Sequence, residues 1–92
     1  LSLEPGQIVS PEVRFQSIDI MAQEDEEWIL SFKGKDQRGL LLAAAEALAA
    51  EDLSVRWARV HTWGQQVEDI FSVRPSGEAQ ERLTRLRQRF VT

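Results

Sequence analysis

Residues 28–73 read WILSFKGKDQRGLLLAAAEALAAEDLSVRWARVHTWGQQVEDIFSV, and the order of patterns along that stretch decides the fold. Trp28, Leu30 and Phe32 alternate with Ile29, Ser31 and Lys33, the period of two expected of a strand. Ile29 implies that the second face of this strand is partly covered. The turn Asp36-Gln37-Arg38-Gly39-Leu40-Leu41 comes next. Asp36 is expected to cap a helix, because its carboxylate can accept an N–H from the first turn. Arg38 to Glu51 is then predicted as helix, since alanine and leucine are strong helix formers. Leu41, Ala44, Ala45 and Leu48 fall on one stripe, and the many alanines imply close packing of helix on sheet. Leu53 and Val55, followed by Ala58 and Val60, mark a second strand. Its change of parity near Trp57 implies a bulge. Gly64 supplies a turn. Val67, Phe71 and Val73 share one face of a third strand, with Ile70 on the other.

Outward from this stretch, Pro75-Ser76-Gly77 breaks the third strand. Ala79, Leu83, Leu86 and Phe90 then recur at helical spacing. Upstream, Val13, Phe15, Ile18 and Ile20 predict a strand over Glu12–Ile20, with a bulge near Ser17. Ala22 to Glu27 reads as an acidic loop. Residues 1–10, with Pro5-Gly6, read as a linker, and 11–92 as one domain. The order is strand, strand, helix, strand, strand, helix. The last three strands and two helices match an α+β, ferredoxin-like β-α-β-β-α-β unit whose final strand is missing. The expected architecture is a four-stranded antiparallel sheet with both helices on one face. The Glu12–Ile20 strand should take the place of the missing C-terminal strand, antiparallel to the strand from Trp28. The strand from Leu53 should run parallel to the Trp28 strand, with one strand between them.

The chain has 92 residues, enough for one modest core. It has no cysteine, hence no disulfide framework and no thiolate metal site. No apolar run is long enough to span a membrane, and no membrane association is expected. Charge is uneven. Residues 1–27 set Arg14 against Glu4, Glu12, Asp19, Glu24, Asp25, Glu26 and Glu27, whereas residues 74–92 set five arginines against Glu78 and Glu81. The net charge of −4 argues against nucleic acid as a partner, since nucleic acid rewards a basic face.

Three elements in register carry a family resemblance: Asp36-Gln37-Arg38-Gly39-Leu40-Leu41, Leu53 to Gly64, and Gln66-Val67-Glu68-Asp69-Ile70-Phe71-Ser72-Val73. With them the chain resembles the ACT domain, a small amino-acid-binding regulatory module. It looks most like the C-terminal ACT domain of the bacterial bifunctional protein-PII uridylyltransferase/uridylyl-removing enzymes. Glu68-Asp69-x-Phe71, soon after a Thr-x-Gly turn, points to that subfamily. Gln37 and Arg38 depart from the family pattern, in which arginine and then proline are common at these positions.

The resemblance implies a regulatory domain that senses an amino acid, glutamine first, and so controls uridylylation and deuridylylation of the PII protein. The domain itself would be no enzyme and hold no cofactor or metal. The chain would be a piece of a longer cytoplasmic nucleotidyltransferase, with phosphodiesterase activity and magnesium in its other domains. Partners would be another ACT domain in the same chain or a second copy, with PII reached through the parent enzyme. The implied ligand residues are Asp36, Gln37, Arg38, Gly39 and Leu40. Asp36 would pair with the α-amino group, and the N–H groups near Gly39 and Leu40 would hold the carboxylate. On the residues alone, Asp36 could equally be a helix cap and Gly39 a site of close packing.

Other residues support no catalytic chemistry. His61 is a lone histidine with no second metal ligand at suitable spacing. Glu68 and Asp69 are adjacent on a strand and point to opposite faces, a poor catalytic pair. They read as surface or turn-stabilising groups. No nucleophile motif surrounds the serines, and no phosphate-binding signature is present. Trp28, Trp57 and Trp63 read as core or interface. Two alternatives stay open: an interaction or dimerisation module without a small ligand, and an RNA-binding sheet. The residues from Gln66 to Val73 lack the basic-aromatic pattern that the RNA-binding reading requires.

Overall fold

A computed structural model describes residues 13–35, 39–75 and 77–91. The elements are β1 (Ser17–Gln23), β2 (Trp28–Lys35), α1 (Leu40–Ala50), β3 (Ser54–Trp63), β4 (Gln66–Arg74) and α2 (Ala79–Phe90). The sheet has the order β1-β2-β4-β3, and every neighbouring pair is antiparallel. β3 therefore runs parallel to β2 with β4 between them, and β1 occupies the outer place beside β2. This is the expected α+β, ferredoxin-like arrangement.

The upstream strand lies later than the sequence pattern implied. β1 begins at Ser17, and its irregularity falls between Ile20 and Ala22, not near Ser17. Glu12 lies outside the described residues. Phe15 is apolar for another reason: it is a core anchor. Its ring meets Phe32 and Phe90 edge-on at centroid distances of 5.0 and 5.3 Å, and its N–H donates to the Phe90 carbonyl at 3.0 Å. Edge-to-face contacts of this kind add to area burial. Phe32 also meets Phe71 at 5.3 Å, so one aromatic chain ties the segment before β1, both central strands and the end of α2.

The core lies between one face of the sheet and the helices. Leu30, Phe32, Phe71 and Val73 supply the sheet side, with Leu83, Leu86 and Phe90 from α2. From α1 the buried residues are Leu40, Ala44, Ala47 and Leu48. Leu41, placed on the buried stripe by the sequence, is exposed, and Ala45 is only half-buried.

The end of α1 is closed by backbone bonds. Asp52 takes a left-handed conformation (φ 60°), its N–H donates to Ala49 O at 2.9 Å, and the Leu53 N–H donates to Leu48 O at 2.9 Å. These two bonds satisfy carbonyls the helix end would otherwise strand, and Leu53 and Leu48 are both buried beside them. Arg82 then donates to the Glu51 carbonyl, and Arg85 Nε to Glu51 Oε1 at 2.9 Å. The C-terminal end of α1 is thus latched to α2.

Candidate functional site

The start of α1 contrasts with its end. The residue before the first turn is Gly39, in a left-handed conformation (φ 80°, ψ 9°), and no side-chain cap bond is present among the described residues. The cap position therefore falls at Gly39, three residues after the expected Asp36. Asp36, Gln37 and Arg38 lie outside the described residues. The Ala43 N–H donates to the Gly39 carbonyl at 2.9 Å, which closes the first turn. The N–H groups of the preceding positions have no partner within the helix and are the donors an anionic group can take up.

An open cleft of about 390 Å³ lies at this end of α1. Gly39, Leu40, Leu41 and Leu42 line it from the helix, Val60 and Thr62 from β3, and Val67 and Asp69 from β4. The strands converge by register: Val60 is opposite Asp69, and Thr62 is opposite Val67. Helix-start N–H groups, the Thr62 hydroxyl, the Asp69 carboxylate and an apolar wall are therefore grouped in one place. That set can hold a small zwitterion, with its carboxylate at the helix start and its side chain against leucine and valine.

Of the sequence-expected ligand residues, the structure places Gly39 and Leu40 in this cleft. It adds Thr62 and Asp69, which the sequence reading missed. Asp69 is no surface group: it is 1% exposed, on the helix side of β4. The signal was its parity with Val67, Phe71 and Val73, which makes it an acid in phase with core positions. Glu68, on the opposite face, accepts a hydrogen bond from the buried Ser31 hydroxyl. His61 is exposed and sits opposite Glu68. Trp28 is core, whereas Trp57 and Trp63 are exposed on β3.

A coupled pair of charges lies away from the cleft. The Arg85 hydrogen bond holds the Glu51 carboxyl below its ordinary value, and Glu51 in turn raises the Arg85 guanidinium. This belongs to the α1–α2 latch.

No family model matches the chain. Proteins of known activity do. A bifunctional uridylyltransferase/uridylyl-removing enzyme of Burkholderia orbicola is 39% identical over 67 residues, which is 72% of this chain. The homology is to the uridylyltransferase/uridylyl-removing enzymes. The enzyme of the same description from Burkholderia lata also has 39% identity over the same share, and that from Burkholderia mallei has 37%. In each case the match covers 8% of the relative's length. No solved structure matches the chain significantly. Among the described residues no helix is long and apolar enough to cross a membrane.

Proposed function

We propose that this chain is an ACT-type regulatory domain that senses an amino acid, glutamine first, within a uridylyltransferase/uridylyl-removing enzyme. The cleft at the start of α1 carries the proposal. It brings together helix-start N–H groups, a hydroxyl, a carboxylate and an apolar wall, at the turn where the resemblance places the ligand. Residues 11–92 form the domain, and Asp36, Gln37, Arg38, Gly39 and Leu40 contribute to the site. The domain has no chemistry of its own. Nucleotidyl transfer to PII, its reversal and the magnesium they require belong to the rest of a cytoplasmic parent enzyme. Regulation is a population shift: the ligand favours one domain arrangement by its differential affinity for it. The arrangement involves pairing with a second domain of this kind, in the same chain or in another copy.

An amide NMR titration with glutamine, with glutamate and serine as controls, tests the proposal. Selective shifts at Gly39–Leu42, Thr62 and Asp69 are expected for glutamine. A well-folded sample with no selective shifts would count against a site within this chain. It would favour the interaction-module reading, which has its own support in the exposed Val55, Trp57, Val60 and Trp63 of β3.

A further inference from the structure

The two edges of the sheet are built differently. β1 is short, it is broken by an irregularity next to Met21, and Arg87 of α2 donates from Nε to the Ile18 carbonyl at 2.9 Å. An interrupted edge whose backbone acceptor is taken by an arginine resists pairing with another strand. β3, the other edge, is ten residues long, and every one of its positions is exposed. An edge of that length left bare is a template for strand addition.

The two faces of β3 are chemically distinct. Register with β4 puts Val55, Ala58, Val60 and Thr62 on the α1 side, opposite Val73, Phe71, Asp69 and Val67. The exposed Leu41 and Leu42 of α1 extend this apolar side. The open side carries Trp57, Arg59, His61 and Trp63, with the Arg59 guanidinium 5.4 Å from the centre of a Trp57 ring. Arg56 sits in the bulge, and β3 contains no acidic residue. Antiparallel pairing of β3 with its own copy would bring four guanidiniums and two imidazoles into one ladder without a carboxylate. Like charges across a ladder are destabilising.

We propose that β3 takes up an extended segment of a different sequence, whose residues alternate apolar on the α1 side with acidic on the open side. Backbone bonds to the bare edge supply attachment, Val60 and Thr62 receive the apolar residues, and Arg59 and Arg56 receive the carboxylates. The paired arrangement invoked above is then between unlike strands. This inference does not depend on glutamine sensing: Val60 and Thr62 also line the cleft, but strand addition is read at Arg56, Trp57 and Arg59, outside it, and glutamine at Gly39–Leu42.

The test uses two blocked decapeptides, one alternating valine with glutamate and one alternating valine with lysine. They are titrated into the labelled chain by amide NMR, with sedimentation equilibrium on the chain alone. The glutamate peptide should shift the amides of Ser54–Trp63, with affinity that falls as salt is added, and the lysine peptide should not. In a chain carrying both Arg56→Glu and Arg59→Glu, substitutions at exposed positions that leave the core untouched, the preference should reverse by roughly tenfold or more. Equal binding of both peptides, or no binding up to millimolar concentration, would overturn the proposal. So would self-association of the chain through β3 at micromolar concentration. A salt-sensitive affinity for oligouridylate at Trp57 and Trp63, in place of the peptide, would make this a nucleic-acid face and overturn it as well.

Discussion

Gly39 is where local geometry and ligand binding can be separated most cleanly. Its φ of 80° lies in the left-handed region, and among the described residues a Cβ added there would meet nothing within 4 Å. Gly39→Ala therefore collides with no described residue, and its expected cost is backbone strain, about 1–2 kcal/mol. Gly64, in the β3–β4 turn, provides a matched control. Its φ is 59°, and a Cβ there also meets nothing within 4 Å. Each alanine variant should lower the unfolding midpoint by about 4–8 °C per kcal/mol lost, the scale for a domain of this size. The two differ in what the strained residue supports. Relief of strain at residue 39 rotates the first turn of α1 and redirects its N–H groups, whereas relief at residue 64 moves only the hairpin tip. One hydrogen bond to a charged group contributes about 1.5–3 kcal/mol. Loss of one donor to the ligand carboxylate then costs about tenfold in affinity or more. Thermal unfolding paired with a glutamine titration reads both quantities. An unchanged midpoint for Gly39→Ala would refute the strained-cap assignment. Equal loss of glutamine affinity in both variants would trace the effect to overall stability and refute the role of the helix start.

Two further perturbations probe the scaffold. Phe32, fully buried and in edge contact with Phe15 and Phe71, should cost about 3–5 kcal/mol on substitution by alanine, read by chemical denaturation. A loss below about 1 kcal/mol would mean that the aromatic chain does not bind the two sheet halves together. The Arg85–Glu51 pair predicts a pH dependence. Glu51 titrates lower in the folded chain than in the unfolded one, so its contribution is present above the ordinary carboxylate range and is lost as pH falls through the lowered folded value. Glu51→Gln should therefore narrow the stability difference between neutral and acid pH, by a small amount because both groups reach solvent. An unchanged pH profile would refute the latch.

The parts of the fold legible in the sequence are those whose apolar residues have a clear phase. β2, β4 and α2 repeat with periods of two or near 3.6, and each lies where that phase puts it. The reading failed where the phase is absent or has another cause. Residues 40–45 are Leu-Leu-Leu-Ala-Ala-Ala, an unbroken apolar run that cannot tell which side of α1 faces the core. The packing chose Leu40, Ala44, Ala47 and Leu48, and left Leu41 and Leu42 exposed. Val13 and Phe15 mimicked a strand because they pack on the core from an irregular segment. In the cleft, Gly39 and Leu40 were legible from the turn. Thr62 and Asp69 were not, because their closeness to α1 depends on the pairing of β3 with β4, a contact between segments distant in sequence from the turn.

The cleft and the bare edge share residues, and this has a consequence for regulation. Val60 and Thr62 line the cleft and also form the α1-side face of β3 that an added strand would cover. The C-terminal end of α1 is held to α2 through Glu51, Arg82 and Arg85, whereas Gly39–Leu42 at its other end line the cleft. Leu41 and Leu42 line the cleft with Val60 and Thr62, the same face that an incoming strand would use. A ligand in the cleft and a strand on the edge are therefore expected to influence each other's affinity, and thermodynamic linkage makes any such influence reciprocal. If glutamine changes the affinity of the valine–glutamate decapeptide by some factor, the peptide must change glutamine affinity by the same factor. Leu42→Ala, at an exposed position, should reduce that factor toward one with little loss of stability. Two independent affinities, each unaffected by the other ligand, would show that the shared residues do not couple the sites, and the route from sensing to domain pairing would have to run elsewhere.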